Sequence, residues 1–301
     1  MDAVLQRHQP STWEQLRSSP IVFIARRIYT YLCQCQTLHE DESDSTIRVV
    51  CISDTHNVHN SLPETPFGDI FIHAGDLTQT GTANELLAAL TWMSSLPHPH
   101  KIFIAGNHDK GLAEPEIRDM LLVSHPDLTY LDNASTSLTI RGRTLSIYGN
   151  PRTPGFGPPS LRYPRIRVEK SSDSDVWSSI PPQTDVLVTH GPPAGHLEFE
   201  RAGCVGLLHK VWKIRPKLHV FGHIHAGRGV ERVYWTNAQQ TYEKISLGLG
   251  GLWDLLVLVL QAASEILFNN VQYEDGTTMV NAAAVGGFRD ELRRGAIVVD
   301  I

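Results

Sequence analysis

The chain has 301 residues, of which 41% are hydrophobic and 19% are charged, a composition typical of a soluble globular protein with one large core or two small ones. Its formal net charge of −6 at pH 7 argues against a nucleic-acid-binding surface and would repel anionic substrates unless bound cations reverse the local field. The four cysteines show neither a disulfide framework nor a zinc-type pair, which favours a reducing, cytoplasmic location.

The first 45 residues are predicted to form an N-terminal extension, and the main domain is predicted to cover residues 46–301. Residues 1–19 are polar and mixed, so we expect no secretory signal there. Residues 21–32 are apolar but include two arginines and are too short to span a bilayer. We predict an amphipathic helix that packs on the domain, with a membrane-surface helix as the alternative. The acidic run 40–45 is typical of a solvated linker.

Apolar runs and helix-start signals then alternate along the chain. Strands are predicted at residues 47–52, 69–73, 101–105, 138–140, 144–148, 185–189, 218–221, 279–284 and 296–301. Helices are predicted at residues 82–96, 116–123 and 206–214. Thr82 and Glu85 form a capping box at the first helix, and Pro115 suits the first turn of the second. The Pro- and Gly-rich stretch 150–159 is predicted to be a loop at the rim of the site.

Residues 231–276 depart from this alternation and are predicted to be an apolar helical insertion. Leu252–Phe268 has a very wide apolar face as a helix, because Asp254, Gln261 and Glu265 fall on one narrow stripe. We expect this helix to be buried against the domain or a partner subunit, with peripheral contact to a membrane surface as the alternative. A spanning helix is not expected, since only ten uncharged residues separate Asp254 from Glu265. The pattern leaves the oligomeric state open.

Five predicted strands end in side chains that commonly bind metals. These residues are Asp54, His56, Asp76, Asn107, His108, His190, His223 and His225. One histidine or aspartate after a strand is commonly a turn residue or a helix cap, but so many at strand ends are hard to obtain by chance. Open α/β sheets place ligands at the carboxyl ends of their strands, where polar side chains are costly unless something binds them. The combination predicts a metal site.

These residues resemble the calcineurin-like metallophosphoesterase superfamily. Its five sequence blocks occur in order as Asp54-x-His56, Gly75-Asp76, Gly106-Asn107-His108-Asp109, His190 and Gly222-His223-x-His225. A finer resemblance, to the small metallophosphoesterase-domain proteins of animals and fungi, rests on FIHAGDLT at 71–78, THGPP at 189–193 and LHVFGHIHAGRG at 218–229, with Val280-Asn281-Ala282. The resemblance implies an α/β fold of the α+β type: a four-layer α-β-β-α metallophosphoesterase sandwich with two mixed β-sheets.

The resemblance also implies two divalent metal ions at the strand ends. The first would be held by Asp54, His56 and His225, and the second by Asn107, His190 and His223, with Asp76 bridging the two. Imidazole and oxygen ligands together suit Mn, Fe, Zn, Co or Ni rather than Ca, and Mn is our first expectation. In such two-metal sites a bridging hydroxide is the nucleophile for in-line attack on phosphorus.

His108 is the residue that the resemblance places outside the coordination shell as a catalytic group. It would donate a proton to the leaving oxygen or to the phosphoryl oxygens, and either Asp109 or Asp76 would orient it. His73 and Asn281 are expected to support the ligands. His59, Asn60, Arg152 and Phe156 are candidate substrate contacts, although solvated loop residues are the simpler interpretation.

The substrate is expected to be a small phosphate ester, with a nucleotide as one candidate. Protein phosphatases of the superfamily usually carry an arginine in the run Gly-Asp-x-Val-Asp-Arg-Gly and a glutamate at the position of Asp109. Both are absent here, since residues 75–81 read GDLTQTG. We therefore predict a phosphodiesterase that acts on small or cyclic nucleotide-type diesters. The alternatives are a phosphomonoesterase or protein phosphatase, and a weakly catalytic nucleotide-binding scaffold.

Overall fold

The structure, a computed structural model, describes residues 11–36, 46–154, 162–163, 175–199, 202–268, 276–287 and 290–301. Its α-helices are α1 Thr12–Ser18, α2 Pro20–Gln36, α3 Ala83–Ser95, α4 Pro115–Ser124, α5 Val205–Ile214, α6 Asn237–Ser246 and α7 Leu252–Phe268. Its strands are β1 Arg48–Ile52, β2 Ile70–His73, β3 His100–Phe103, β4 Leu128–Tyr130, β5 Ala134–Ile140, β6 Arg143–Asn150, β7 Thr153–Pro154, β8 Arg162–Tyr163, β9 Val186–Thr189, β10 Leu218–Phe221, β11 Gly229–Tyr234, β12 Gly276–Asn281, β13 Val285–Gly286, β14 Leu292–Arg293 and β15 Ile297–Asp300.

Two large sheets form the body of the protein. Sheet A has the order β15-β1-β2-β3-β4, and only β15 runs antiparallel to its neighbour. Sheet B has the order β11-β12-β10-β9-β6-β5, with four parallel strands in the middle and an antiparallel strand at each edge. Both sheets are therefore mixed, as the sequence predicted.

The two sheets pack face to face and bury the main core between them. Val49 and Ile72 of sheet A meet Ile147 and Val220 of sheet B in this core. Because side chains alternate along a strand, the neighbouring residues point to the outer faces of the sheets. Those of sheet A pack against α3 and α4, and those of sheet B pack against α5. The predicted four-layer α-β-β-α sandwich is confirmed.

Local sequence signals account for several of these elements. The Thr82 side chain accepts the Glu85 N–H while the Glu85 carboxylate accepts the Thr82 N–H, which is the predicted capping box at the start of α3. Strands β5 and β6 are joined by Arg141 and Gly142, both with left-handed φ, as expected for a two-residue hairpin turn. At both places a few neighbouring residues are sufficient to set the local backbone structure.

Other elements differ from the sequence predictions. Residues 231–234 belong to edge strand β11 rather than to the insertion; the adjacent charged residues Glu231 and Arg232 leave this strand without the apolar alternation by which a strand is predicted. Strand β12 runs from Gly276 to Asn281 rather than over 279–284, and the short β4 and the polar helices α1 and α6 were not predicted. Linker residues 40–45 and residues 155–159 of the predicted rim loop lie outside the described part of the chain.

Helices α2, α6 and α7 pack together, and we call them the helical bundle. Its core contains Ala25 and Tyr29 of α2, Tyr242 of α6 and Leu258 of α7. The rings of Tyr29 and Tyr242 stack with their centroids 4.3 Å apart. The N-terminal helix therefore packs mainly on the inserted helices. Among the described residues, no helix has the length and apolar character needed to cross a membrane.

A buried polar network joins the helical bundle to the sandwich. The ring of His196 is fully buried, with Nε2 3.0 Å from Glu243 Oε1 of α6 and Nδ1 3.3 Å from Glu231 Oε2 of β11. Trp212 of α5 donates its indole N–H to Glu243 at 2.7 Å. Burial alone lowers the pKa of His196, but the two carboxylates outweigh it and raise the pKa to about 10. At neutral pH this junction is a buried cation held between two anions.

Candidate metal centre

The side chains that the sequence proposed as metal ligands converge at the carboxyl ends of β1, β2 and β3 in sheet A and of β9 and β10 in sheet B. His190 Nε2 lies 3.1 Å from Asp76 Oδ2 and 3.1 Å from Asn107 Oδ1. On the other side, His225 Nε2 lies 3.3 Å from Asp54 Oδ1, and His56 Nε2 lies 3.8 Å from Asp76 Oδ2. Residues from two sheets thus meet in one cluster.

Three groups of potential ligand atoms occur in this cluster, and within each group the atoms lie within 4.8 Å of one another. The groups are Asp54, His56 and His225; Asp76, His190 and His223; and His56, Asp76 and His108. Asp76 belongs to two of them and so does His56, so the three groups share members and form one continuous cluster. Two buried carboxylates surrounded by imidazoles fit divalent cations well, since such cations favour oxygen and nitrogen donors.

Unusual backbone conformations orient four side chains of the cluster. Asp54, His56, Asp76 and His223 all have positive φ, between 39° and 65°, a region that non-glycine residues seldom adopt. Such strain persists only where the surrounding structure enforces it, and it clusters at functional sites. Hydrogen bonds provide the enforcement here: the His223 N–H donates to Asp54 Oδ2 at 2.9 Å, and the His108 N–H donates to Asp76 Oδ1 at 2.8 Å.

Two glycines allow the carboxylates to approach the backbone closely. A Cβ on Gly106 would lie 2.1 Å from Asp76 Oδ1, and a Cβ on Gly222 would lie 2.1 Å from Asp54 Oδ2. Both distances are far below van der Waals contact, so the two positions admit only glycine without displacing a ligand. These are the glycines that precede Asn107 and His223 in the sequence blocks.

The histidines divide their two ring nitrogens between the centre and the protein. His190 Nδ1 donates to the Ala74 carbonyl at 2.8 Å, which leaves Nε2 for the cluster. His225 Nδ1 lies 3.2 Å from Asp290 Oδ1, which again directs Nε2 toward Asp54. Contacts of this kind between a ring nitrogen and an oxygen fix the tautomer and ring orientation of metal-binding histidines.

The ionisable groups of the cluster shift one another's pKa values. Burial opposes ionisation of Asp76, but the nearby His190 holds the pKa of Asp76 well below its usual range. For His190 itself burial lowers the pKa, yet Asp76 more than compensates and raises it to about 9. Burial lowers the pKa of His223 to about 3, so this imidazole is neutral and has a lone pair available. Bound cations would replace the protons that His190 and His225 carry, since nearby carboxylates raise the pKa of both.

His108 has a different orienting partner from the one expected. Its Nδ1 lies 2.7 Å from the carbonyl oxygen of Gln79, so the ring donates there and Nε2 remains for the centre. Neither Asp109 nor the carboxylate of Asp76 makes that contact. The expectation that a carboxylate orients His108 is therefore wrong, because the turn after β2 brings a backbone carbonyl to that position.

Asp109, proposed from sequence as a catalytic residue, is buried and holds backbone. Its carboxylate accepts the Leu77 and Thr78 N–H groups at 3.1 and 2.9 Å, the Thr78 hydroxyl at 2.7 Å and the Gly106 N–H at 2.9 Å. Burial, together with the charge of Asp76, raises the pKa of Asp109 to about 6. It connects the turn after β2 to the turn after β3 and so positions Asp76 against Asn107.

Two further residues support the ligand turns, as expected. His73 Nδ1 accepts the Gly75 N–H, and its Nε2 donates to the Thr55 hydroxyl at 3.0 Å, between the ligands Asp54 and His56. Asn281 donates to the Ile224 carbonyl at 2.9 Å, between the two histidines of the turn that follows β10. Both side chains act behind the cluster rather than in it.

Asp290 is a site residue that sequence reasoning missed. It reaches His225 from the segment between β13 and β14, with a left-handed φ of 53°. Its neighbours in the sequence are ordinary polar residues, so no local pattern marks it. Only a search for a carboxylate partner to each ligand histidine could have suggested it, and that search needs coordinates.

The candidate substrate contacts are less well placed. The ring of His59 is buried against Trp92, with centroids 5.2 Å apart, and so it packs rather than faces the solvent. Asn60 is exposed, while Arg152 is half-buried and donates its backbone N–H to Asn150. Phe156 lies outside the described residues.

Comparison with known proteins agrees with this geometry. The family model for calcineurin-like phosphoesterases matches residues 47–227. The chain is 42% identical, over its whole length, to a protein named probable rhamnogalacturonate lyase C from Emericella nidulans, and it spans 29% of that protein. It is 37% identical to human metallophosphoesterase domain-containing protein 1, over 61% of this chain and 62% of that protein. The chain thus spans less than two thirds of each of these relatives.

Two further similarities point the same way. A UPF0046 protein of Caenorhabditis elegans is 35% identical over 68% of this chain and 76% of its own length. A solved structure superimposes with a TM-score of 0.53 at 14% identity, covering 85% of this chain and 95% of the other. At that identity the structural match supports the fold alone.

Proposed function

The chain belongs to the calcineurin-like phosphoesterase family, and on that premise we propose that it is a metal-dependent phosphodiesterase acting on small or cyclic nucleotide-type diesters. The observation that carries the proposal is the pair of fully buried groups of potential ligands, one of which contains Asp76, with the oriented imidazole of His108 beside them. A scaffold that only bound a nucleotide would have no need of His108 next to a complete ligand set.

The proposed ligands divide between two divalent cations. Asp54, His56 and His225 would hold one cation, and Asn107, His190 and His223 the other, with Asp76 between them. Such a pair supplies Lewis acidity and neutralises charge during phosphoryl transfer. Mn is our first choice among Mn, Fe, Zn, Co and Ni, because the mixed nitrogen and oxygen donors suit all five.

The protein's own contribution to the reaction is placement and proton transfer. Since His108 Nδ1 is committed to the Gln79 carbonyl, Nε2 is the atom that can meet a substrate. In the doubly protonated form of the ring, Nε2 would give its proton to the oxygen of the leaving group and leave a neutral imidazole with Nδ1–H still bonded to Gln79. Asp109 and His73 act indirectly, by fixing the turns that carry Asp76 and Asp54.

The turn after β2 supports a diester substrate. Leu77 and Thr78 are fully buried and bonded to Asp109, so neither side chain can bind a phosphate oxygen. Arg294 donates hydrogen bonds from Nη2 to the backbone carbonyls of His225 and Val285, so this nitrogen is already occupied within the protein. A phosphomonoester dianion carries one more charge to neutralise than a diester. With no arginine in residues 75–81, the diester is favoured.

A substrate panel tests the proposal directly. The full chain, loaded in turn with Mn, Fe, Zn, Co and Ni, is assayed with a chromogenic monoester, a chromogenic diester, and 2′,3′- and 3′,5′-cyclic nucleotides. We expect metal-dependent hydrolysis with a higher kcat/KM for a diester than for the monoester. Faster turnover of the monoester would replace the phosphodiesterase by a phosphomonoesterase. Nucleotide binding without turnover under any metal would instead indicate a scaffold.

A further inference from the structure

The outward face of α7 is apolar and lacks cover within the described chain. Eight large hydrophobic side chains of this 17-residue helix are between 42% and 76% exposed, whereas only Leu258 and Ala262 are buried. At roughly 200 Å² for a fully exposed large side chain, these exposures add up to on the order of 1,000 Å² of apolar surface on one helix, whereas the largest apolar patch on a typical monomer is about 300–600 Å². No residue of α7 belongs to the groups of potential metal ligands found among the described residues, so the metal centre does not explain this surface.

The exposed residues have the spacing of a helix–helix seam. Trp253, Leu256, Leu260, Ala263 and Leu267 are all exposed, and successive members are separated by 3, 4, 3 and 4 residues. This is the a/d pattern of a coiled coil, in which side chains of one helix fit between those of another. The pattern indicates that the complementary surface is itself a helix.

The charges of α7 disfavour a lipid surface as the occupant. Helices that lie on membranes usually carry lysine and arginine on their polar face, and α7 contains neither. Its acidic residues are only partly exposed, and Asp254 is paired with Lys244 of α6 at 2.6 Å. With a net charge of −6, the chain would also be repelled by anionic lipids.

We propose that the protein is a homodimer in which α7 packs on α7 of a second copy. A two-fold axis near Leu260, at the middle of the seam, would pair the helices antiparallel. Leu260 would then meet Leu260 of the second copy, and Trp253 would face its Leu267. The seam and its exposed neighbours Leu252, Val259, Ile266 and Phe268 together offer a surface comparable with the roughly 800 Å² per partner that a stable interface buries. The exposed arc carries no acidic or basic side chain, so the pairing would bring no like charges together at its centre.

Molecular mass in solution tests the proposal. Light scattering and sedimentation equilibrium on the full, metal-loaded chain at micromolar concentration should give twice the 33.5 kDa of one chain. The variants Leu256→Asp and Leu260→Asp should be monomers that retain the circular dichroism and the metal content of the wild type. Val123→Asp is the matched control, because Val123 is 80% exposed on α4, away from the seam, and this variant should remain dimeric.

A cysteine at the axis tests the geometry independently of variants that alter stability. Leu260→Cys should form a disulfide between two chains under mild oxidation, at a yield well above the background from the natural cysteines. A monomeric wild type would overturn the proposal. So would a dimer that survives both aspartate variants, or a monomer that binds phosphatidylserine vesicles through Leu260. Since phosphoesterase turnover is measured separately, failure of the dimer leaves the proposed activity standing.

Discussion

The metal centre and helix α7 both reverse the usual distribution of side chains between interior and surface. At the metal centre, Asp54 and His190 are fully buried, although ionisable groups are rarely found there without a partner. On α7, large residues such as Trp253 and Leu267 are about three-quarters exposed. Both arrangements cost free energy in the isolated chain, and both are explained when a second component binds: a cation in the first region and an apolar surface in the second.

The two regions differ in how rigidly they are built. The ligands of the centre are held by glycines without room for a Cβ, by left-handed backbone and by hydrogen bonds from three turns. The outward face of α7 needs only a helix and a repeating apolar pattern. Chemistry at phosphorus requires placement within fractions of an ångström, whereas an apolar interface tolerates small displacements. Substitutions in the metal centre therefore test exact placement, whereas the Leu256 and Leu260 variants test an apolar contact.

The largest effect is expected from Asp76→Asn. The substitution removes the charge shared by two ligand groups, so we expect metal-dependent turnover of the diester to fall to background. Metal content, measured by mass spectrometry of the purified protein, should fall with it. Asp119→Asn is the control, since Asp119 is an exposed carboxylate on α4. Turnover near that of the wild type in Asp76→Asn would remove Asp76 from the centre.

His108→Ala should lower kcat by about 10²–10⁴-fold, the usual contribution of a general acid, while the metal content stays unchanged. The result is informative because the geometry brings one ring nitrogen of His108 within ligand distance of His56 and Asp76. If the variant loses metal, His108 belongs to the coordination shell and its assignment as proton donor is wrong.

Asp290→Ala should weaken metal binding by about 10–100-fold, because His225 would lose the carboxylate that orients its ring. The measurement is a metal titration followed by turnover of the diester at saturating metal. Asp290→Asn keeps an acceptor oxygen and should show a smaller loss. Equal metal affinity in all three proteins would mean that Asp290 only supports the segment between β13 and β14.

The last expected effect is on stability rather than on the metal centre, at the junction between the helical bundle and the sandwich. The pKa of His196 is raised in the folded state to about 10, from an ordinary value near 6.5. Its stabilising contribution is therefore complete below about pH 6.5 and is lost as the pH rises toward 10. Glu243→Gln should reduce the free energy of unfolding by about 3 kcal/mol at pH 6 and flatten this pH dependence.

Thermal unfolding from pH 6 to pH 10 measures that difference. Glu116→Gln, on the exposed start of α4, is the control and should follow the wild-type profile. Parallel profiles for the wild type and Glu243→Gln would show that the buried cation does not stabilise the junction.

The sequence by itself determined most of the centre and the layers of the fold. Apolar runs that end abruptly at Asp54, Asp76, Asn107 and His190 predicted buried strands, and their joint occurrence predicted the cluster that the folded chain brings together. The bounds of α7 and the start of α3 also followed from sequence, because helical periodicity and the Thr82–Glu85 capping box are local signals. Patterns over short segments survive folding when tertiary contacts agree with them.

Tertiary structure alone decided the partners of those residues. The Gln79 carbonyl reaches His108 across 29 positions, and Asp290 reaches His225 from a segment with no distinguishing pattern. Asp109 looked catalytic because of its neighbours in the sequence, yet four donors from the adjacent turns claim its carboxylate. That α7 is largely exposed was also decided by packing, since a wide apolar face predicts burial but not the surface that provides it. Local sequence sets which groups are present, and the chain's path through space sets which of them meet.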